Sequence, residues 1–152
     1  MPATLTFDES GECCQSPATL IAEFEHAYEE LSQYVTELNN VLEQAKLDRA
    51  KLTTIRLKIA QLRLIRGPLI GKIAACLKNK ISASEAQLLQ ELRRAHDELL
   101  RAASAHTGKW TMDAIEADWE GYRFKARQLA RCWMEKVRWE QEILLPLLSR
   151  RR

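Results

Sequence analysis

Long amphipathic stripes constrain this chain more than any other feature of its sequence. Apolar residues recur at spacings of three and four, which is the period of one helix face. Four such stripes run from Leu20 to Leu42, from Leu47 to Leu77, from Leu88 to Ala103 and from Ile115 to Leu148. Only five glycines and four prolines occur among 152 residues, so the turn residues of a β fold are scarce. We therefore predict an all-α protein, an up-down-up-down four-helix bundle.

Helix-capping residues predict where these helices begin and end. Ser16 followed by Pro17 is a typical start signal. Ser82 with Glu85 three residues later has the spacing of a capping box, which predicts the start of the third helix. Gly108 is predicted to end that helix, because glycine is the usual residue at a helix C-terminus.

Prolines interrupt two of the predicted helices. Gly67-Pro68 lies inside the second stripe, and because proline removes a backbone hydrogen bond we expect a kink or break there. The fourth helix is predicted over about residues 112–148, with Pro146 in its last turns.

The chain divides into three predicted parts: a flexible leader over 1–16, the bundle over 17–148 and a basic tail over 149–152. The N-terminal stretch has neither the basic n-region nor the apolar h-region of a secretory signal. No apolar run approaches the roughly 20 residues of a membrane span. We therefore expect a cytoplasmic protein that does not associate with membranes.

Four cysteines fit a reducing compartment. Cys76 and Cys132 fall in apolar helical patterns and are predicted to be small core residues. Cys13 and Cys14 are adjacent in the leader. A vicinal thiol pair could bind a soft metal or sense oxidation, whereas an unstructured tail is the simpler interpretation, and the role of the pair stays open. No Cys-x-x-Cys spacing supports a zinc site.

One phrase of the sequence occurs twice. KIAQLRLIRGPL begins at Lys58 and KVRWEQEILLPL begins at Lys136, 78 residues later. Each phrase starts with a lysine and ends in Pro-Leu. Because the phrases lie on the second and fourth predicted helices, the pseudo-two-fold axis of a bundle would relate them. The repeat predicts a site that two helix pairs once shared.

This pattern resembles the hemerythrin-like (HHE cation-binding) family, whose second and fourth helices carry His-x-x-x-Glu, a hydrophobic pair and Pro-Leu. In that family the first and third helices each add a histidine, and the ligands hold two irons inside the bundle. The resemblance covers roughly residues 17–148. It implies that His26, His96 and Glu140 occupy matching ligand positions.

Three other ligand positions of the family have been replaced in this chain. Lys58 and Leu62 stand where the second helix would carry its histidine and carboxylate, and Lys136 replaces the histidine of the fourth helix. A protonated lysine has no lone pair and cannot bind iron. We hypothesise that lysines supply the positive charge that iron supplied, with Glu140 accepting hydrogen bonds from Lys58 across the bundle. The hypothetical vestigial cluster comprises Lys58, Lys136, Glu140, His26 and His96.

No nucleophile–base pair, glycine-rich phosphate loop or complete metal set is apparent in the sequence, so we do not expect an enzyme. The first hypothesis is a hemerythrin-like bundle without a cofactor, acting as a non-catalytic binding or regulatory module. An alternative is a divergent oxygen- or redox-sensing protein that binds iron through His26, His96 and Glu140. A third is an interaction module that uses a basic helix face.

Charge is segregated along the chain although the net charge is only +2. Residues 17–45 contain six glutamates and no lysine or arginine, whereas residues 46–80 contain ten basic residues and one aspartate. Two antiparallel helices with this split attract each other, so we do not expect nucleic acid to bind the basic segment. The expected partner is another protein of unknown identity, and a homodimer also stays open.

Overall fold

The computed structural model describes residues 6–7 and 13–150, and most of them are helical. Strands β1 (Thr6–Phe7) and β2 (Cys13–Cys14) pair antiparallel. Five helices follow in the described part: α1 (Pro17–Leu42), α2 (Arg49–Leu77), α3 (Ala83–Lys109), α4 (Met112–Ala117) and α5 (Trp119–Ser149). The all-α prediction is confirmed. The rest of the predicted leader and the last two residues of the predicted basic tail lie outside the described residues.

The predicted helix starts are confirmed in atomic detail. The Ser16 hydroxyl accepts a hydrogen bond from the Thr19 N–H at 3.2 Å, which caps α1. At the start of α3, the Glu85 N–H donates to the Ser82 hydroxyl at 3.2 Å. The Ser82 N–H in turn donates to the Glu85 carboxylate at 3.0 Å. This reciprocal pair is the capping box that the sequence predicts.

Helix α2 continues through Gly67 and Pro68, so of the two predicted outcomes, a kink or a break, the break is wrong. One proline removes a single helical hydrogen bond, and the residues that follow it, Leu69 and Ile70, are buried in the core. Packing of that next turn therefore holds the helix together. Helix α3 likewise continues through Gly108, one residue beyond the predicted end.

The fourth predicted helix is divided at Asp118 into α4 and α5. Asp118 has φ −146° and ψ 71°, outside the helical region, and its carboxylate accepts a hydrogen bond from the Gly121 N–H at 2.9 Å. The indole N–H of Trp119 donates to the Gln44 carbonyl at 3.1 Å. This contact ties the division to the segment that follows α1.

The four long helices pack around a core with two apolar clusters. Helices α1 and α3 each contact α2 and α5, and α4 contacts α5. The cluster that we call the first contains Leu31, Leu52, Ile115 and Val137, and the second contains Phe24, Ile73, Leu92 and Leu144, among others. In the described part of the chain, no helix combines the length and apolar character needed to cross a membrane.

Some apolar residues of the predicted helical patterns lie at the surface instead, among them Cys132 and Ile65. Cys76 is buried as predicted, but Cys132 is exposed, because the inward face of α5 passes through Ala130 and Trp133. On α2, Ile65 is 56 % exposed, and its neighbour Arg66 is the residue whose side chain points into the core.

The division at Asp118 gives the first testable prediction, which concerns Gly121. A Cβ atom at this position would lie 2.2 Å from the Asp118 carboxylate, whereas a Cβ at Gly71 meets nothing within 4 Å. Gly71→Ala should raise the free energy of unfolding by about 1 kcal/mol through helix propensity. Gly121→Ala should raise the free energy of unfolding by about 1 kcal/mol less than Gly71→Ala does, because the new Cβ displaces the capping carboxylate.

Urea denaturation of both variants measures this difference. In an Asp118→Ala background the cap is already lost, so Gly121→Ala should then stabilise the protein as much as Gly71→Ala does. Equal gains from both alanines in the wild-type background would contradict the role of Asp118 as a cap.

Candidate functional site

Four buried polar side chains form the candidate site. Three helices contribute them: α2 carries Arg66, α3 carries His96, and α5 carries Lys136 and Glu140. Their exposed fractions are 1 %, 4 %, 7 % and 0 %, respectively. Charged side chains are almost never this deeply buried unless they are paired, so their partners determine what the site can do. We call these four residues the buried cluster.

The buried cluster forms a layer between the two apolar clusters of the core. On α5, Glu140 lies between Val137 of the first apolar cluster and Leu144 of the second. On α3, His96 follows Leu92 of the second cluster by one turn. The polar side chains therefore lie at one level of the core, with apolar packing on both sides.

Glu140 is the acceptor at the centre of the buried cluster. Its Oε2 accepts a hydrogen bond from Nη2 of Arg66 at 2.5 Å. Its Oε1 forms an ion pair with Nζ of Lys136, one helical turn earlier on α5. One carboxylate thus faces two cations, one from the opposite helix and one from its own. Such pairing is what makes a buried carboxylate tolerable.

His96 completes the buried cluster as a neutral acceptor. Its Nδ1 lies 2.7 Å from Nζ of Lys136. Because a protonated lysine can only donate, Nδ1 accepts and the ring proton is on Nε2. Burial and the charge of Lys136 lower the pKa of His96 from 6.5 to about 4. The imidazole is therefore uncharged at neutral pH.

Burial also lowers the pKa of Lys136, while the nearby charge and hydrogen bond of Glu140 oppose that shift. The ammonium group is held by two acceptors and by an aromatic face. Its Nζ lies 5.6 Å from the centre of the Trp133 ring, within the range of cation–π attraction. The guanidinium of Arg66 similarly lies 5.0 Å from the centre of the Phe24 ring.

Several buried donors around the cluster have no hydrogen-bond acceptor among the described residues. They are Nε and Nη1 of Arg66, Nε2 of His96 and Nε1 of Trp133. Donors thus outnumber the oxygen atoms of the single carboxylate. The chemistry of the layer is that of a carboxylate surrounded by cations and N–H groups.

The structure brings together three of the residues predicted for the vestigial cluster: His96, Lys136 and Glu140. The predicted place of His26 is wrong: its side chain is 70 % exposed, and its Nε2 lies 3.1 Å from the Glu30 carboxylate on the same helix. The inward face of α1 in that region passes through Leu20, Ile21 and Phe24. His26 comes two residues after Phe24 and therefore lies on the opposite, outward side of the helix.

The predicted contact between Lys58 and Glu140 is also wrong. Lys58 is exposed, because its neighbour Ile59 is the residue that packs against the first apolar cluster. Leu62 is partly buried and packs against the same cluster. Arg66, one turn beyond Leu62, makes the cross-helix contact to Glu140 instead.

Sequence reasoning missed Arg66, although the sequence carries a signal for it. Continuing the spacing of three and four from Ile59 and Leu62 leads to Arg66 and then to Leu69. An arginine at an inward position of an apolar stripe needs a buried acceptor, and Glu140 is the buried carboxylate of α5.

The residues present do not fit a dinuclear iron centre. Only His96 and Glu140 remain as potential ligands in the cluster, with their Nδ1 and Oε1 atoms 3.9 Å apart. Among the described residues, no group of three or more histidine, cysteine, aspartate or glutamate side chains could hold a metal ion. Arg66 and Lys136 add two cationic side chains against the carboxylate, and these repel a metal cation.

Comparison of the chain with protein-family models, with curated proteins and with solved structures found no match.

The pairing around Glu140 gives a prediction about stability. Glu140→Leu should lower the free energy of unfolding by about 3–5 kcal/mol, because it leaves Arg66 and Lys136 buried without their anion. Removing all three charges, as Arg66→Met with Lys136→Met and Glu140→Leu, should recover most of that loss. Urea denaturation followed by circular dichroism measures both changes.

Lys58→Leu is the control for this experiment. It removes an exposed lysine that begins one copy of the repeated phrase, as Lys136 begins the other. The free energy of unfolding should change by no more than about 0.5 kcal/mol. A triple variant that is no more stable than Glu140→Leu alone would show that the charges of the buried cluster do not depend on one another.

The lowered pKa of His96 predicts a pH dependence. The folded-state pKa of about 4 lies below the ordinary 6.5, so as pH falls the unfolded chain takes up this proton first. The contribution of His96 to the free energy of unfolding is fully present above pH 6.5. It is lost as pH falls toward 4, by up to about 3 kcal/mol. Besides Lys136, the charges that act on His96 are those of Glu140, Arg66 and Asp97.

His96→Gln isolates this contribution, since a glutamine oxygen can still accept from Lys136 but does not titrate. Between pH 6.5 and pH 4 the wild type should lose more stability than His96→Gln does. Parallel stability curves for the two proteins over this interval would contradict a buried neutral imidazole.

Proposed function

We propose that this protein is a hemerythrin-like four-helix bundle that has lost its di-iron centre. We further propose that it acts in the cytoplasm as a non-catalytic binding or regulatory module. The observation that carries this proposal is the position of the Lys136 ammonium group. It is held between Nδ1 of His96, at 2.7 Å, and the carboxylate of Glu140. These are two residues that match ligand positions of the family.

The charges of the buried cluster support replacement of a metal by side chains. A metal centre offsets the negative charge of its carboxylate ligands. Here Arg66 and Lys136 offset the charge of Glu140, while His96 accepts a hydrogen bond from an ammonium group instead of binding a metal ion. Two basic side chains from different helices therefore perform the electrostatic role of the lost ions.

The packing of the long helices supports the bundle itself. Helices α1, α2, α3 and α5 each exceed 25 residues, and short segments connect α1 to α2 and α2 to α3. Both copies of the repeated phrase fall on long helices, on α2 and α5. The Pro-Leu endings lie inside these helices and place Leu69 and Leu147 in the same apolar cluster.

A binding role is favoured over catalysis by the burial of the charged groups. Glu140 has no exposed surface, and the exposed fraction of the most exposed member, Lys136, is 7 %. These side chains bind one another and present no general acid or base to a substrate. The cluster stabilises a scaffold, and recognition takes place elsewhere on it.

Iron content tests this proposal. After anaerobic loading with ferrous iron and desalting, elemental analysis of the wild type should find no stoichiometric iron. About two irons per chain would contradict the proposal and restore a di-iron centre. One iron per chain would favour the divergent metal-binding alternative.

A matched variant makes a negative result informative. Lys136→His combined with Arg66→Leu removes both cations and returns an imidazole one turn before Glu140. This variant should retain more iron than the wild type, because three potential ligands then face one another without the competing charges. Equal iron retention in both proteins would show that Lys136 and Arg66 do not exclude the metal.

A further inference from the structure

A cavity of about 70 Å³ lies among the four long helices, apart from the centre of the buried cluster. Its apolar wall includes Leu31 and Val35 of α1, Ile59 of α2, and Leu129 and Trp133 of α5. All of these residues belong to the first apolar cluster or pack against it. The wall therefore resembles the interior of the protein.

Two alanines on α5 leave the space open. Ala126 and Ala130 line the cavity and are 3 % and 7 % exposed. They occupy inward positions where the same helix elsewhere carries larger residues, such as Val137 and Leu144. A larger side chain at either alanine would enter the cavity.

Two arginines line the same cavity without an acidic partner. Arg56 and Arg63 lie about two helical turns apart on α2, and both are partly buried. Neither forms an ion pair with any described residue, and no aspartate or glutamate is among the described residues that line the cavity. Within the described part of the chain, the contacts of Arg56 are weak: the Met112 sulfur lies at 3.7 Å and the centre of the Tyr122 ring at 5.8 Å.

The charges at the cavity are therefore positive and mutually repelling. Burial and the neighbouring Arg56 lower the pKa of Arg63. Burial, followed by the charges of Arg56 and Arg63, lowers the pKa of His106, which favours the uncharged imidazole. Two partly desolvated guanidinium groups without a counter-anion are costly unless an anion joins them.

We propose that this cavity binds a small organic carboxylate with a short apolar chain. The apolar chain lies between α1 and α5 against Trp133, and the carboxylate accepts hydrogen bonds from Arg56 and Arg63. Guanidinium groups bind carboxylates with well-directed, charge-assisted hydrogen bonds. The inference does not depend on the resemblance to hemerythrin-like proteins or on the loss of a metal.

The size of the cavity limits the ligand. An apolar cavity of about 150 Å³ holds benzene, and the present cavity of about 70 Å³ is half as large. An aliphatic chain of about three or four carbons fits such a space, with the carboxylate outside it at the arginines. Butyrate is therefore the probe that we choose.

Isothermal titration of the full chain with butyrate, at constant ionic strength, tests the proposal. Butyrate should bind at one site per chain. Acetate, which lacks most of the apolar chain, and butanol, which lacks the charge, should each bind at least about 10-fold more weakly. Butylamine should not bind, since the arginines repel it.

Variants separate the two parts of the site. Arg63→Met should weaken butyrate binding at least about 10-fold through loss of a charged hydrogen bond. Ala126→Leu should abolish binding by filling the cavity. Arg49→Met is the control: Arg49 is also on α2 but is paired with Glu116 at 2.5 Å, and its loss should leave butyrate affinity unchanged.

Circular dichroism establishes that each variant is folded, and Ala130→Val replaces Ala126→Leu if the larger side chain prevents folding. Butanol binding as tightly as butyrate would overturn the role of the arginines. Unchanged butyrate affinity in the cavity-filling variant, or no butyrate binding by the wild type, would overturn the site itself. Iron analysis tests the buried cluster, and butyrate titration tests this cavity. Either proposal can therefore be overturned without affecting the other.

Discussion

The carboxylate of Glu140 is the constraint on which the rest of the structure depends. A carboxylate with no exposed surface is costly unless cations and donors surround it. Its two oxygens are bound by Arg66 from α2 and by Lys136 from its own helix. His96 of α3 then accepts from Lys136. Three helices are thereby linked. Displacing α2 or α5 along its axis breaks the ion pair between Arg66 and Glu140, and displacing α3 breaks the hydrogen bond from Lys136 to His96.

This layer also organises the apolar core. Because Glu140 must stay within reach of Arg66, the core divides into two apolar clusters that lie on either side of the polar layer. A polar layer of this kind can specify the register of packed helices, which apolar side chains alone specify less strictly. The first of these clusters includes Ala126 and Ala130 and contains the cavity. The second apolar cluster contains Leu69 and Leu147, the leucines of the two Pro-Leu endings.

Much of this arrangement could be predicted from the sequence, because helix periods and caps are local. The spacing of apolar residues identified the long helices, and Ser16, Ser82 and Glu85 identified where two of them begin. The repeated phrase drew attention to Lys136 and Glu140. These features depend on residues within one or two turns of each other, so a single segment contains the whole signal.

The features that could not be predicted depend on how helices face one another. The alignment of the repeated phrases predicts that Lys58 points inward as Lys136 does. In the structure Lys58 is exposed, and Arg66 makes the predicted contact to Glu140. His26 occupies the position that the resemblance implies for the helix-one histidine, but it lies on the outward side of α1. The division at Asp118 depends on a capping carboxylate and on the contact of Trp119 with the end of another helix. Neither the facing of helices nor such long-range contacts is encoded in local spacing.

The protonation state of His96 tests the central claim most directly, because only a neutral ring with a free Nδ1 can accept from the ammonium group of Lys136. Nitrogen-15 NMR of the histidine side chains reports this state, and the signals of His96 are those lost in His96→Gln. At about pH 5.5, between the ordinary pKa and the lowered one, we expect a neutral imidazole with its proton on Nε2. A charged imidazolium at that pH, or a neutral ring protonated on Nδ1, would contradict the buried cluster described above.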